Sequence, residues 1–393
     1  MSDSHFPASG VRLNKVMSLF FAVAFRPFGR AALWLTGLLV FLAGGIPVAA
    51  RDPNGFSQFI GVTRFESFTQ STNRNGDAVW LSPPFKTDTH WNELVVSWNA
   101  DALAGAWLKI EASATLPDHA TRFYVMGLWT RDNAPFPRAS VSGQKDGDGD
   151  VKVDTLTLFH EATAAQVRLT LGGTNGALPV IKFLGLAFCN TNVTPAVLPA
   201  NRAAWGKIIP TPERSQQSYP GGSGWCSPTS LSMALARWAA VAQRPDWNPD
   251  APETAAGVYD AHFYHHTGNW PFNTAFAGSL KGMRAYVTRF SDISELEDWI
   301  AAGIPVLISA RYDLLLDGRP PDLSGHLTVC RGFTGTGDLV INDPWTDLKV
   351  ESVRHVYKRS SVMRAWATSH NTVYLVYPAN WPVPPDRFGH WQE

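Results

Sequence analysis

One stretch of the sequence presents a cysteine in the setting that a cysteine nucleophile requires. A glycine-rich loop over residues 219–225 precedes Cys226, and Pro228 follows it two residues later. Proline suits the first turn of a helix because its missing N–H has no intrahelical partner there, so we predict Ser227 as the N-cap. Cys226 then lies beside the positive end of the helix dipole, which favours the thiolate. Most cysteines are inert core residues, so this position alone does not identify a nucleophile. A cysteine nucleophile also needs a base and a group that orients the base.

Two downstream motifs supply these groups. His326 follows Gly325 and opens a predicted strand, and Asp343 ends the next predicted strand, just before a proline. A carboxylate at the end of a neighbouring strand can accept from an imidazole N–H and so fix the histidine's tautomer and orientation. Taken alone, His326 fits a structural histidine and Asp343 fits a turn former. The prediction of a nucleophile, a base and an orienting acid therefore depends on all three together.

These motifs resemble a known family. Gln216, Trp-Cys226-Ser-Pro-Thr-Ser, Gly-His326-Leu-Thr-Val and Asn-Asp343-Pro are similar to the papain-like cysteine peptidases that process bacteriocin leaders, peptidase family C-thirty-nine, and to their stand-alone relatives. The resemblance covers residues 205–378, under half of the chain.

The resemblance implies a role for each matching residue. Cys226 would be the nucleophile, His326 the general base and Asp343 the orienting acid. Gln216 would donate to the oxyanion together with the backbone N–H of Cys226, and Gln217 is the alternative donor. The sequence has no transporter domain, so we do not expect the double-glycine leader substrate of those relatives.

Composition excludes several classes of function. The 393 residues include 33 basic and 33 acidic side chains, so a nucleic-acid partner is not predicted. Three cysteines are too few for a disulfide framework, and Cys189 and Cys330 are either one pair or two buried thiols. The acidic residues 146–150 and the histidines within 262–266 lack the remaining ligands of a calcium or zinc site. We therefore predict no metal and no cofactor.

The N-terminus predicts export. Residues 31–50 carry no charge, follow Arg26 and Arg30, and end in three small residues after Pro47. This pattern is typical of a secretory signal peptide that is cleaved near Ala50. An uncleaved anchor is the alternative, because about 20 apolar residues can span a bilayer. We expect a secreted, periplasmic or cell-envelope protein.

The next segment predicts a β-sandwich of the jelly-roll type. Short runs over 94–98, 107–112, 123–129, 167–171 and 181–188 are strand-like, several of them alternate apolar and polar residues, and turn residues separate them. Five tryptophans accompany them: Trp80, Trp91, Trp98, Trp107 and Trp129. Tryptophans in such strands more often form the core than a sugar-stacking platform. We therefore expect these tryptophans in the core; if some of them are exposed instead, the alternative is that this segment binds a cell-surface glycan.

Together these features predict four segments. Residues 1–50 form the signal peptide or anchor, 51–192 the β-sandwich, 193–212 a linker, and 205–382 an α+β papain-like cysteine peptidase domain. The expected function is a secreted cysteine peptidase that hydrolyses peptide bonds in a peptide or protein substrate. Two alternatives stay open: an amidase or transglutaminase-type acyl transferase on the same framework, and a non-catalytic, glycan-binding envelope protein.

Overall fold

A computed structural model of the protein describes residues 55–101, 104–132, 136–262, 266–316, 320–321 and 324–392. The predicted signal peptide or anchor over 1–50 lies outside these residues. Two β-sheets dominate the described part of the chain, and the helices among them are short apart from one. No helix within these ranges is both long and apolar enough to cross a membrane.

The first sheet contains ten strands, nine of them from the N-terminal half of the chain. The strands are β1 (Ser57–Val62), β2 (Thr69–Thr72), β3 (Ala78–Leu81), β4 (Phe85–Asp101), β5 (Ala106–Thr115), β6 (Tyr124–Thr130), β7 (Gly149–Lys152), β8 (Thr155–Gly173), β9 (Val180–Cys189) and β16 (Trp391–Gln392). All pairings are antiparallel except that of β16 with β1.

The five runs predicted as strands overlap β4, β5, β6, β8 and β9, but β4 and β8 are far longer than predicted, with 17 and 19 residues. Their pairing shifts register between Lys86 and Trp91, and such bulges interrupt the simple alternation of apolar and polar residues.

The second sheet has six antiparallel strands in the order β10-β15-β11-β12-β13-β14. The strands are β10 (Met283–Arg289), β11 (Val306–Arg311), β12 (Gly325–Phe333), β13 (Leu339–Asn342), β14 (Arg354–Tyr357) and β15 (Thr372–Pro378). The helices of this half are α1 (Cys226–Ala242), α2 (Ala251–Val258), α3 (Trp270–Ser279), α4 (Ile293–Ala301), α5 (Tyr312–Leu315) and α6 (Arg359–Ala367).

Helix α1 is the buried helix against which this sheet packs. Leu231, Leu235 and Trp238 are fully buried, as their helical spacing predicts. The Ser230 hydroxyl donates to the Leu327 carbonyl of β12 at 2.9 Å, which fixes the start of the helix on that strand.

The helix begins at Cys226, with Trp225 as N-cap, so the prediction of Ser227 as N-cap is wrong by two residues. The glycine loop lets the Trp225 carbonyl accept the first helical bond, from the Thr229 N–H at 2.9 Å.

The two halves of the chain share a core. Phe59 and Phe183 of the first sheet pack against Tyr286 of the second, with ring centroids 4.5 and 5.5 Å away. The Asn99 side-chain amide donates to the Ala285 carbonyl at 2.6 Å. Within the predicted linker, the Ile209 N–H donates to the Arg331 carbonyl at 2.7 Å, so this segment is bound to β12.

Candidate active site

A cavity of about 470 Å³ contains the predicted nucleophile and base. The start of α1 and the start of β12 both contribute to its lining, and so does Gln216. Asp343 lies behind His326, and the cavity's aromatic lining comes from Trp270, Tyr312 and Trp345. The structure therefore brings the four predicted site residues into one place.

Cys226 is the half-buried thiol of this cavity. Burial raises the pKa of the thiol. The hydrogen bond and positive charge of His326, together with the backbone N–H groups of Leu327 and Ser227, lower this pKa by more than burial raises it. The net pKa of Cys226 lies below the ordinary value for cysteine. A lowered pKa favours the thiolate, which is the reactive form of a cysteine side chain.

His326 connects the thiol to the carboxylate. Its Nε2 lies 2.7 Å from Oδ1 of Asp343, so Nδ1 is the ring nitrogen left for Cys226. Burial lowers the pKa of His326, whereas the charge and hydrogen bond of Asp343 and the contact with Cys226 raise it above the ordinary value. A raised imidazole pKa beside a lowered thiol pKa favours a thiolate–imidazolium pair.

Asp343 is held by more than the histidine. The backbone N–H of Trp345 donates to Oδ1 at 2.9 Å, and the Tyr357 hydroxyl donates to Oδ2 at 2.7 Å. Burial raises the pKa of this carboxyl, but the charge of His326 and these donors lower it to about 2. The carboxylate is therefore ionised at any pH at which the protein is expected to work, and it cannot rotate freely.

Gln216 is buried, with 1% of its surface exposed. Its Nε2 donates to the carbonyls of Gly222 and Ser223 at 2.8 and 3.0 Å, while Oε1 has no hydrogen-bond partner among the described residues. A Cβ at Gly222 would lie 2.0 Å from the Gln216 carbonyl, so only glycine permits this approach. The exposed Gln217 side chain instead donates to the Trp345 carbonyl.

Three residues near the site were not found from the sequence. The Tyr312 ring packs on the His326 ring with centroids 4.5 Å apart, Tyr357 bonds Asp343, and Trp270 lines the cavity. Each belongs to a different element, and none stands in a local motif that marks it. Only tertiary packing brings these three elements, α3, α5 and β14, to the site.

The other candidate clusters have different surroundings. Cys189 and Cys330 are buried free thiols, so they form no disulfide. Asp146 of the acidic loop accepts from the Arg122 side chain and the Tyr124 hydroxyl, at 2.5 and 2.6 Å. Of the histidine cluster, residues 263–265 lie outside the described residues. Within the described ranges, no group of three or more acidic, histidine and cysteine side chains is arranged to hold a metal ion.

Of the tryptophans weighed as a sugar platform, Trp91, Trp98 and Trp129 are at most 2% exposed. Buried indoles cannot stack on a sugar, so these three belong to the core. Trp80 and Trp107 are half-buried.

Two family models match the chain. The Peptidase C39 N-terminal domain matches residues 49–188, and the Peptidase_C39 like family matches residues 208–374. The second match lies within the segment that carries the sequence resemblance, so that resemblance is confirmed. Comparison with curated proteins finds no match.

Two solved structures show a weak likeness. One is a protein from Bacillus anthracis described as a C39-like peptidase, with 17% identity and a TM-score of 0.32, over 43% of this chain and 96% of that chain. The other comprises modules of a Clostridium thermocellum xylanase complexed with xylohexaose, with 10% identity and a TM-score of 0.14, over 41% of this chain and 32% of that chain. At these scores neither likeness bears on the fold.

Proposed function

We propose that the chain is a C39-like cysteine peptidase in which Cys226 is the nucleophile, since residues 208–374 match the Peptidase_C39 like family. The observation that carries this proposal is that His326, whose Nε2 lies 2.7 Å from Asp343, lines the same cavity as a thiol at the start of a helix. We propose that the C-terminal half has the papain-like arrangement and that the N-terminal half is a β-sandwich. The substrate is a peptide or protein.

The proposed reaction has two acyl-transfer steps. The Cys226 thiolate attacks the scissile carbonyl, and protonated His326 gives its proton to the leaving amine as the tetrahedral intermediate collapses. His326 then takes a proton from water, which attacks the thioester; collapse of this second intermediate releases the acid and regenerates the thiolate–imidazolium pair. Asp343 keeps the imidazole oriented and stabilises its cation throughout, while remaining ionised.

Gln216 is the proposed side-chain donor to the oxyanion, with the backbone N–H of Cys226 as the second donor. Its Nε2 now donates to Gly222 and Ser223, so one N–H must turn from a loop carbonyl toward the substrate oxygen. The position of Gln216 in the cavity wall supports this residue over Gln217, whose amide faces the Trp345 carbonyl.

We also propose that the protein is exported. The uncharged block over 31–50, the arginines before it and the small residues at 48–50 support a signal peptide that is removed near Ala50. N-terminal sequencing of exported protein gives a start near Asp52. Membrane-bound protein that still begins at Met1, or at Met17 if translation starts at that methionine, would instead support an anchor.

The test of the proposed activity is peptide hydrolysis by the purified protein against a mixed-sequence peptide library, read by mass spectrometry. Wild type cleaves, Cys226→Ala does not, and Cys330→Ala serves as the matched control because it removes a buried thiol outside the cavity. New amine–acyl products in place of hydrolysis would support the acyl-transferase alternative. Binding of glycans by a protein without any turnover would support the non-catalytic alternative.

A further inference from the structure

One wall of the catalytic cavity is attached to the N-terminal half of the chain. Gly268 and Trp270 line the cavity that contains Cys226 and His326. Trp270 is the first residue of α3, and its backbone N–H donates to Oδ2 of Asp154 at 2.7 Å. Asp154 lies in the turn between β7 and β8, so a side chain of the first sheet holds the start of a helix beside the second.

Asp154 is unusual in being a buried acid. It is 6% exposed, and its Oδ1 accepts from the Thr155 hydroxyl at 3.1 Å. Burial raises the pKa of its carboxyl to about 6, even though the Trp270 N–H, the Thr155 hydroxyl and the charge of Arg289 lower it. A carboxylate is favoured beside the free N–H groups of a first helical turn, so this bond gives the ionised form a partner in place of water.

The backbone around Asp154 is held in an uncommon conformation. Val153 has a φ of 65°, in the left-handed region that a β-branched residue rarely adopts. The Asp154 N–H donates to the Lys152 carbonyl at 2.8 Å, so three residues form the whole turn. This tight turn aims the carboxylate of Asp154 at α3 at a conformational cost, which the surrounding structure must offset.

The segment that leads to Trp270 is attached to the same half at a second point. Asp260 accepts from the Ser140 N–H at 3.0 Å, and the Ala261 N–H donates to the Arg138 carbonyl at 2.9 Å. Near Trp270, the Thr267 hydroxyl donates to the Gly224 carbonyl of the cysteine loop at 2.8 Å. The N-terminal half thus holds both ends of a segment that contacts the nucleophile's loop.

We propose that Asp154 is a positioning residue for the peptidase reaction: it fixes Trp270 in the wall of the cleft, and the N-terminal half thereby completes the substrate-binding surface. The inference rests on the proposed peptidase function. Asp154 does not line the cavity that contains Cys226 and His326, so it acts through the start of α3. Its loss moves the indole that contacts the bound peptide and leaves the thiolate–imidazolium pair in place.

The experiment measures kcat and KM for a cleaved peptide, and the rate of alkylation by iodoacetamide, in the full-length protein. Asp154→Ala raises KM by about tenfold or more, because a small displacement in the cleft weakens binding. Its alkylation rate stays within about twofold of wild type, because iodoacetamide is small enough to reach the Cys226 thiolate without binding against Trp270. Asp154→Asn recovers most of the wild-type KM, since its amide oxygen can accept from the same N–H.

Ser97→Ala is the matched control. The Ser97 hydroxyl oxygen also accepts a backbone N–H from the other half, that of Val287 at 2.9 Å, and neither residue lines the cavity. A rise in KM as large in Ser97→Ala as in Asp154→Ala would overturn the proposal. The loss of any hydrogen bond between the two halves would then be enough to raise KM, whether or not it holds Trp270. An unchanged KM in Asp154→Ala would overturn it as well.

Trp270→Leu covers the case in which Asp154→Ala does not fold. This variant raises KM on its own, and a wild-type KM in Trp270→Leu would overturn the proposal whatever Asp154→Ala does. If Asp154→Ala folds, combining the two changes raises KM no further than Trp270→Leu alone, because both act on one indole. Failure of the peptidase function is separate: there, wild type itself cleaves nothing, or Cys226→Ala cleaves as wild type does.

Discussion

At the scale of single residues, the described part of the chain contains two hydrogen-bonded rows, each made of a thiol or hydroxyl, a histidine and an acid. In the second row, the Ser57 hydroxyl lies 2.9 Å from Nδ1 of His390, whose Nε2 lies 2.7 Å from Oε1 of Glu295. All three side chains are at most 4% exposed, and the Ser57 hydroxyl already donates to the Arg289 carbonyl at 3.1 Å. No substrate carbonyl reaches a hydroxyl buried in this way. The two rows have similar residue types. What distinguishes a row that can react from one with a structural role is whether a substrate can reach its thiol or hydroxyl.

The roles of His326 and Asp343 predict different losses. His326→Ala removes the proton donor and also the cation that stabilises the thiolate, so alkylation and turnover both collapse. Asp343→Asn can hold the wrong histidine tautomer, so kcat falls by up to roughly four orders of magnitude while part of the thiolate reactivity survives. Iodoacetamide rates and peptide turnover of both variants check this. Wild-type turnover in His326→Ala would contradict the assignment.

Gln216 predicts a third pattern. In Gln216→Ala the thiol and the imidazole are untouched, so alkylation stays near the wild-type rate. Turnover falls by about a hundredfold or more, as expected for the loss of one oxyanion donor. Gln217→Ala is the matched control and keeps most of its turnover. If Gln216→Ala suppressed alkylation as strongly as His326→Ala does, the oxyanion role would be wrong.

At the scale of the elements, the sequence predicts the proposed catalytic residues better than the residues that hold them in place. Cys226 and His326 stand at the starts of α1 and β12, and Asp343 directly follows β13, so local motifs mark all three. Tyr357 lies fourteen residues beyond Asp343, and only the pairing of β13 with β14 brings its hydroxyl back to the carboxylate. Pairing between strands depends on tertiary packing, which periodicity does not report.

Tyr357 therefore carries a prediction of its own. Tyr357→Phe removes one donor from a buried carboxylate and lowers the free energy of unfolding by about 2 kcal/mol. The pKa of Asp343 rises from about 2, because that donor favours the ionised form. Asp343 must stay ionised to orient His326, so the acid limb of the pH–rate profile moves to higher pH. Thermal denaturation and kcat/KM between pH 3 and 7 test both effects, and an unmoved acid limb would contradict the second.

At the scale of the whole molecule, the sequence predicts two halves but not the core between them. The apolar run over 181–188 predicts a strand, β9, but it cannot show what that strand packs against. Phe59 and Phe183 pack on Tyr286, and Ser97 and Asn99 bond the backbone of β10. These contacts join residues between 103 and 227 positions apart in the chain, and only tertiary structure specifies such pairs.

The buried acid between the halves makes stability depend on pH. Because the pKa of Asp154 is raised from 3.8 to about 6, the folded state binds a proton there more tightly than the unfolded state does. The contribution of Asp154 to stability therefore falls as the pH rises from 4 to 6. The side chain of Asp154→Asn does not titrate, so its contribution to stability does not change with pH. The free energy of unfolding of Asp154→Asn minus that of wild type is therefore up to roughly 3 kcal/mol larger at pH 7.5 than at pH 4. Melting temperatures of both proteins at these pH values test this, and a constant difference would contradict it.

The three thiols differ in a way that allows active sites to be counted. Burial raises the pKa of Cys189, and it raises that of Cys330 to about 12, whereas the half-buried Cys226 has a lowered pKa. Native protein therefore incorporates one mole of an alkylating label per mole of chain, and unfolded protein incorporates three. The native stoichiometry gives the fraction of competent molecules in any preparation without a known substrate. An electrophile attached to a candidate peptide would likewise form its bond at one position only, so the bonded peptide would identify the sequences that the cleft accepts.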